Sequence, residues 1–346
     1  MIPTVYPSRW HAAAWLAACV AGCAAAADST ARCRETRRLM GVPWTITLHA
    51  ATRAEGEAAI AAAFAEVERL EGILSDYDPA SELVRLSAAA PTPTPVPLGD
   101  DLWRALSAAV AWRDASGGAF DPTVGPLTTL WRQTRRSGTL PRTEKLAAAL
   151  RAVGPRTLVL DEQRRTAALL EPGMRLDLGG IGMGYAVDRA LEVLAGRGIA
   201  AAMIDASGDV AVSGPPPGRA GWRIEVAAFG RENAADGRPT IELVNAAVTT
   251  SGDAFQAAEI HGVRYSHVVD PRTGLGVAGP AAVTVIARDC TTADALATAA
   301  SVLGPKGGLT LVEATSGAAA RFVTAAGDGR EVLSSRWPAQ PAQSAP

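Results

Sequence analysis

The sequence predicts a mixed α/β domain of the α+β kind, with room for two lobes. Three observations carry that prediction. Alternating apolar segments and alanine-rich segments of helical spacing are interleaved along the chain without a strict βαβ rhythm. The 346 residues are 48% apolar, ample for a buried core. No repeat or long linker interrupts residues 34–336, whereas residues 337–346, built of Pro, Ala, Gln and Ser after Trp337, have the composition of a solvated tail.

Taken in order, residues 44–49 alternate as a strand does, and residues 55–74 carry apolar side chains at helical spacing. Residues 102–116 read as a helix stopped by Gly117-Gly118, residues 144–153 as another, and residues 157–160 as a short strand. A helix is expected over 185–197, strands over 201–204, 222–226 and 283–286, and a last helix over 292–303.

Residues 1–29 read as an export signal with a short linker. Arg9 precedes an apolar run over 11–23 that is too short to span a bilayer. Both Leu16-Ala-Ala-Cys19 and Val20-Ala-Gly-Cys23 resemble a bacterial lipobox, and Cys23 is the expected lipid attachment point because it gives the apolar region a more usual length. The expectation is thus an exported lipoprotein on the periplasmic side of a bacterial envelope membrane; the alternative is soluble export after cleavage within 24–27. The remaining cysteines, Cys33 and Cys290, form no paired spacing for a thiolate metal site. With 33 basic and 35 acidic residues, a net charge of -2 offers no global field for nucleic acid.

Several strings could carry chemistry. Arg175-Leu-Asp-Leu-Gly-Gly-Ile-Gly-Met-Gly-Tyr-Ala-Val-Asp188 reads as a strand end, four glycines in six residues, and a helix. Glycines let a backbone approach a pyrophosphate, and a helix N-terminus favours anionic oxygen. The string is neither GxGxxG in a dinucleotide fold nor a P-loop, and tight packing explains it equally well. In Tyr265-Ser-His-Val-Val-Asp-Pro-Arg-Thr-Gly274, His267 is either a base or a satisfied structural residue. Asp294 and Thr298, four apart, share one helix face and offer hard oxygen ligands suited to magnesium, although a helix-start acid followed by a threonine is the commoner meaning of that pattern. The loop Gly118-Ala-Phe-Asp-Pro-Thr-Val-Gly-Pro-Leu127 holds Phe120 and Asp121 at a bend, and Tyr77 follows a helix where it could stack on a planar ring.

In this order, over about residues 39–325, these strings resemble the ApbE family of FAD:protein FMN transferases. The likeness rests on Met40-Gly41, Leu74 to Leu83, Phe120 to Leu127 with Trp131, Asp177 to Asp188, Thr250 to Asp253, His267 to Gly274 and Ala293 to Thr298. The resemblance implies an FAD site, between the lobes if there are two, formed by Met40, Tyr77, Ala119, Phe120, Asp121, Asp177, Met183 and Val268, with the tyrosine against the flavin. It implies a Mg2+ ion held by the Gly180 carbonyl, Asp294 and Thr298. The implied reaction transfers FMN from FAD to a Thr or Ser hydroxyl of a partner, an FMN-binding domain of an envelope electron-transfer protein, and releases AMP. His267 is the expected proton acceptor, with Asp253 and the Thr250-Ser251 turn as weaker candidates for positioning substrate or metal. Met183 stands where the family usually has a lysine or other charged residue, and Ser207 where a second glycine is usual. Two other readings stay open: magnesium-dependent hydrolysis of FAD to FMN and AMP, and a non-catalytic FAD-binding lipoprotein.

Overall fold

The structure, a computed structural model, describes residues 30–226, 239–252, 257–278, 281–324 and 331–338. Cys19, Cys23 and Asp253 lie outside them. In chain order the elements are β1 (Ala31–Leu39), β2 (Val42–Ala50), α1 (Arg53–Leu74), α2 (Glu82–Ala88), β3 (Val96–Pro97), α3 (Asp100–Ala115), α4 (Gly125–Ser137) and α5 (Thr143–Arg151). There follow β4 (Leu158–Asp161), β5 (Thr166–Leu169), α6 (Gly182–Gly196), β6 (Ala201–Ala206), β7 (Asp209–Val212), β8 (Trp222–Glu225), β9 (Thr240–Leu243) and β10 (Ala246–Gly252). The chain continues with β11 (Ala257–Ile260), β12 (Val263–Val269), β13 (Gly276–Ala278), β14 (Ala281–Ala287), α7 (Cys290–Ala314), β15 (Ala319–Thr324) and β16 (Glu331–Leu333).

An eight-stranded antiparallel sheet in the order β1-β2-β6-β7-β10-β14-β15-β16 is the centre of the fold. The mixed α+β class expected from the interleaved patterns is what the chain forms. Alternation along the strands sorts the two faces. Ala211, Ala247, Val283 and Val285 join the main core with Phe64, Leu70, Val187 and Leu296 of α1, α6 and α7. Their neighbours Val210, Val212, Val248 and Ile286 face the other way, onto Trp222 and Ile241 of the β8–β9 ribbon. A third cluster joins Leu127 and Trp131 of α4 and Ala149 of α5 to Ile260 and Val269 of the β11-β12-β13 sheet.

Local chemistry accounts for the elements that frame the site. Met40 and Gly41 both take positive φ, 48° and 80°, as a two-residue hairpin turn between β1 and β2 requires. Thr52 and Glu55 close a capping box on α1. The last helix differs from its expected 292–303 span: it starts at Cys290, breaks at Gly304 (φ 69°), and resumes at Pro305, whose fixed φ suits a helix start. Residues 174–178, read as a strand end, are extended without a partner strand. Their polar groups bond to loops instead, the Leu176 N–H to Ser87 Oγ (3.0 Å) and the Asp177 N–H to the Pro122 carbonyl (2.9 Å).

Candidate active site

The cleft of about 390 Å³ lies where the α4–β12 unit meets the main sheet and the first turns of α7. Its floor is two stapled loops. In the first, the Phe120 N–H donates to Ser116 Oγ (3.0 Å), and Asp121 Oδ1 accepts from both the N–H (2.8 Å) and the hydroxyl (2.6 Å) of Thr123. Burial pushes the Asp121 carboxyl up, and the Thr123 donors pull it back. In the second, Asp177 Oδ1 accepts from the Gly179 N–H (2.8 Å) while Oδ2 accepts from Thr128 Oγ1 (2.7 Å). The backbone bond from Asp177 to Pro122 joins the loops, so both carboxylates hold the floor in shape and present it to the cleft.

The glycine-rich string serves close approach at two positions. A Cβ on Gly180 would sit 2.9 Å from Thr298 Oγ1 and 3.1 Å from the Phe120 ring. A Cβ on Gly184 would sit 2.3 Å from the Cys290 carbonyl oxygen, so only glycine lets α6 and α7 meet there. One N–H of the helix start is used within the chain: the Gly184 N–H donates to Asp294 Oδ2 (3.2 Å). The positive end of α6 thus supports a carboxylate of the chain itself.

α7 is set in place by two other acids. Asp289 caps it through the Thr292 N–H (2.7 Å), and Asp188 of α6 accepts from the N–H groups of Cys290 and Thr291 (2.8 Å each) and from the Thr291 hydroxyl (2.5 Å). Burial pushes Asp188 up to about 6 despite these donors. One turn further on, Asp294 is buried and Thr298 follows on the same face, both lining the cleft with Gly180. Burial, and then the charge of Asp209 at the start of β7, push the Asp294 carboxyl well above the usual range. Asp209 is itself pushed up to about 6, by burial first, against the hydrogen bond from Thr249. A buried carboxylate raised further by the charge of a second one is relieved by a proton or by a cation. With the Thr298 hydroxyl and the backbone at Gly180, the donors are all hard oxygen, and this set suits magnesium better than a soft metal.

His267 and Val268 of β12 line the cleft as well, with Thr249, Thr250 and Ser251 of β10. Trp131 fixes β12 by donating from Nε1 to the Ser266 carbonyl (2.9 Å), and a Cβ on Gly276 would meet its ring at 2.3 Å. Tyr77, which lines the cleft, is 74% exposed. The Arg132 guanidinium lies 4.4 Å from its centroid and pairs with Asp76 (2.7 Å) and Asp177 (3.5 Å).

Of the residues singled out in the sequence, Tyr77, Ala119, Phe120, Asp121, Asp177, Gly180, His267, Val268, Asp294 and Thr298 line this one cleft. Met40 and Met183 do not; both are partly buried against the main core. Ser207 sits at φ 58° between β6 and β7, and its hydroxyl donates to the Pro43 carbonyl (3.0 Å), which ties that turn to β2. Sequence reasoning passed over Asp209, although Asp205-Ala-Ser-Gly-Asp209 was visible as a turn, and over Arg132, Asp76 and Asp188. Their roles come from partners 40 to 103 positions away in the chain, which no local pattern displays.

The profile of the ApbE family matches residues 40–322. The chain belongs to the ApbE family. A curated relative named FAD:protein FMN transferase, from Chlamydia muridarum, is 31% identical over 244 residues, covering 69% of this chain and 74% of the relative. The crystal structure of Pseudomonas stutzeri flavinyl transferase ApbE in its apo form superposes with a TM-score of 0.76 at 29% identity, covering 88% of this chain and 95% of that one. The flavin transferase ApbE from Vibrio cholerae superposes with a TM-score of 0.78 at 27% identity, covering 88% and 98%. The family match spans every residue that lines the cleft, from Asp76 to Thr298.

Proposed function

We propose that this chain is an FAD:protein FMN transferase that works with Mg2+, transferring FMN from FAD to a Thr or Ser hydroxyl of an FMN-binding domain and releasing AMP. The observation that carries the proposal is the pairing of the Asp294–Asp209 corner with the exposed Tyr77 ring around one cleft. A dinucleotide with a planar ring system and a charged pyrophosphate needs both kinds of surface. Tyr77 would receive the flavin, and Phe120 and Val268 the apolar parts of the substrate. Gly180, Asp294 and Thr298, with Asp209 beside them, would hold the cation. When bound, that ion supplies charge neutralisation and Lewis-acid polarisation at the pyrophosphate.

The displacement breaks the bond between the FMN phosphorus and the bridging oxygen, forms a phosphoester to the acceptor oxygen, and leaves the electron pair on AMP. His267 takes the acceptor's hydroxyl proton, and its place in the lining of the same cleft as Asp294 and Thr298 suits that task. Asp177 and Asp121 keep the floor rigid through their own loop hydrogen bonds, which holds the substrate in line. The acceptor would be a domain of an envelope electron-transfer protein, met on the periplasmic side by an enzyme anchored through lipid at Cys23.

Incubating the mature domain with FAD, magnesium and an FMN-binding-domain acceptor tests the reading. In-gel flavin fluorescence and the added mass of FMN are expected, both lost with EDTA or Asp294→Ala. Release of FMN and AMP with no adduct would instead make the chain a pyrophosphatase, and FAD bound unchanged would make it a carrier. Membrane fractionation of the full chain and of Cys23→Ala tests the anchor.

A further inference from the structure

Outside Tyr77 a second depression of about 570 Å³ opens, and four arginines line it: Arg132, Arg135, Arg136 and Arg175. Thr129, Tyr77 and Ala257 line it too, and no carboxylate is among the lining residues that the structure describes. Tyr77, Arg132 and Arg135 border the cleft as well, so the two spaces share a wall. The arginines come from two parts of the chain. Arg132, Arg135 and Arg136 lie on α4, and Arg175 reaches in from the extended segment before α6, its Nη2 donating to the Asp76 carbonyl (2.6 Å).

Arginines in the last turn of a helix complement its dipole, and that accounts for Arg135 and Arg136 singly. It does not account for Arg175 converging on the same depression from another segment. Arg132 is neutralised by Asp76 and Asp177, whereas Arg136 is exposed and forms none of the ion pairs seen among the described residues. The surplus of positive charge therefore lies on the outer side of Tyr77, away from the Asp294–Asp209 corner. Whatever enters the cleft from solvent past Tyr77 passes this field.

We propose that this depression docks an acidic segment of the acceptor protein next to the hydroxyl that is modified. The proposal rests on the transferase reading and deepens it by naming the partner's chemistry. Guanidinium groups take carboxylates in paired hydrogen bonds, and a one-signed rim speeds encounter and fixes register.

The test uses the full mature domain and an FMN-binding-domain acceptor made in two forms, with Asp and Glu or with Asn and Gln flanking the acceptor threonine. Binding is read by fluorescence anisotropy and labelling by in-gel flavin fluorescence. The acidic form is expected to bind at least about 10-fold tighter at low salt and to lose that advantage as salt rises. Arg136→Glu, at an exposed position, is expected to remove the advantage while FAD affinity and melting temperature stay unchanged. An acceptor flanked by lysines should regain binding to Arg136→Glu. Equal binding of both acceptor forms, or loss of FAD affinity in Arg136→Glu, overturns the proposal, the latter assigning the depression to the nucleotide. Competition by inorganic phosphate at low millimolar concentration that Arg136→Glu abolishes, with no preference between acceptors, overturns it in favour of a phosphate site. Acidic-selective binding without labelling leaves the docking surface standing and sinks the transferase reading.

Discussion

Replacing Asp209 with Asn should stabilise the protein free of metal, and the size of the gain follows from the site. Asp209 faces Asp294 across a corner of low solvent access, and its carboxyl is pushed from the usual 3.8 up to about 6. Each unit is worth about 1.4 kcal/mol, so ionised Asp209 costs the fold at most about 3 kcal/mol at pH 8, and about 2 kcal/mol once its access to the cleft is allowed for. Asparagine keeps an oxygen for the Thr249 hydroxyl and removes the charge. The sign with pH is definite. A carboxyl whose folded pKa is raised contributes stability that is fully present below about 3.8 and is lost as pH rises through about 6. Asp209→Asn should therefore melt roughly 4 °C above the parent at pH 8 and level with it near pH 4, using about 2 °C per kcal/mol for a domain of this size. Scanning fluorimetry in EDTA across pH 4 to 8 measures this. With magnesium added, the order should reverse, because the parent gains more from the cation. A variant that melts below the parent at pH 8 in EDTA, or a difference that ignores pH, would refute the burial of charge at Asp209 on which the cation site is argued.

Magnesium affinity, by calorimetry, should fall steeply from pH 8 to pH 5, since protons compete for Asp294 and Asp209, both of which hold them more tightly than ordinary carboxyls. An affinity independent of pH would place the ion elsewhere. Tyr77→Ala should weaken FAD binding about 10-fold, as loss of one ring stacking implies, with no change in melting temperature because the ring is 74% exposed; flavin fluorescence quenching reports the first and fluorimetry the second. Asp188→Ala should cost about 2 to 3 kcal/mol in urea unfolding, by leaving the N–H groups of Cys290 and Thr291 without their carboxylate, and should lower metal affinity as well. Gly184→Ala should destabilise by roughly 2 kcal/mol or more and reduce labelling, because its Cβ falls 2.3 Å from the Cys290 carbonyl oxygen and forces α6 off α7.

Much of the site was legible because each of its strings is a local device. Asp294 and Thr298 share a helix face by spacing alone, and the glycine and proline punctuation around Phe120 and Asp121 announces a shaped loop. Two features of the glycine string could not be read locally. The extended stretch before it has no strand partner, since its ladder groups bond to loops. One N–H of the helix start behind it is taken by Asp294. Both are matters of which distant groups arrive, and an amphipathic pattern is silent on that.

What the sequence determined by itself was the class of fold, several of its longer helices and strands, and the family whose motifs it carries, because propensity, period and turn chemistry act within a few residues. The tertiary structure alone decided which acids repel and which ones hold the scaffold. Asp177 and Asp121 are spent on their own loops, Asp188 on the start of α7, while Asp294 and Asp209 meet without a donor sufficient to offset their burial. The physical reason is that the energy of a carboxylate depends on its burial and its neighbours in space. Those are set only when β7, α6 and α7 pack together.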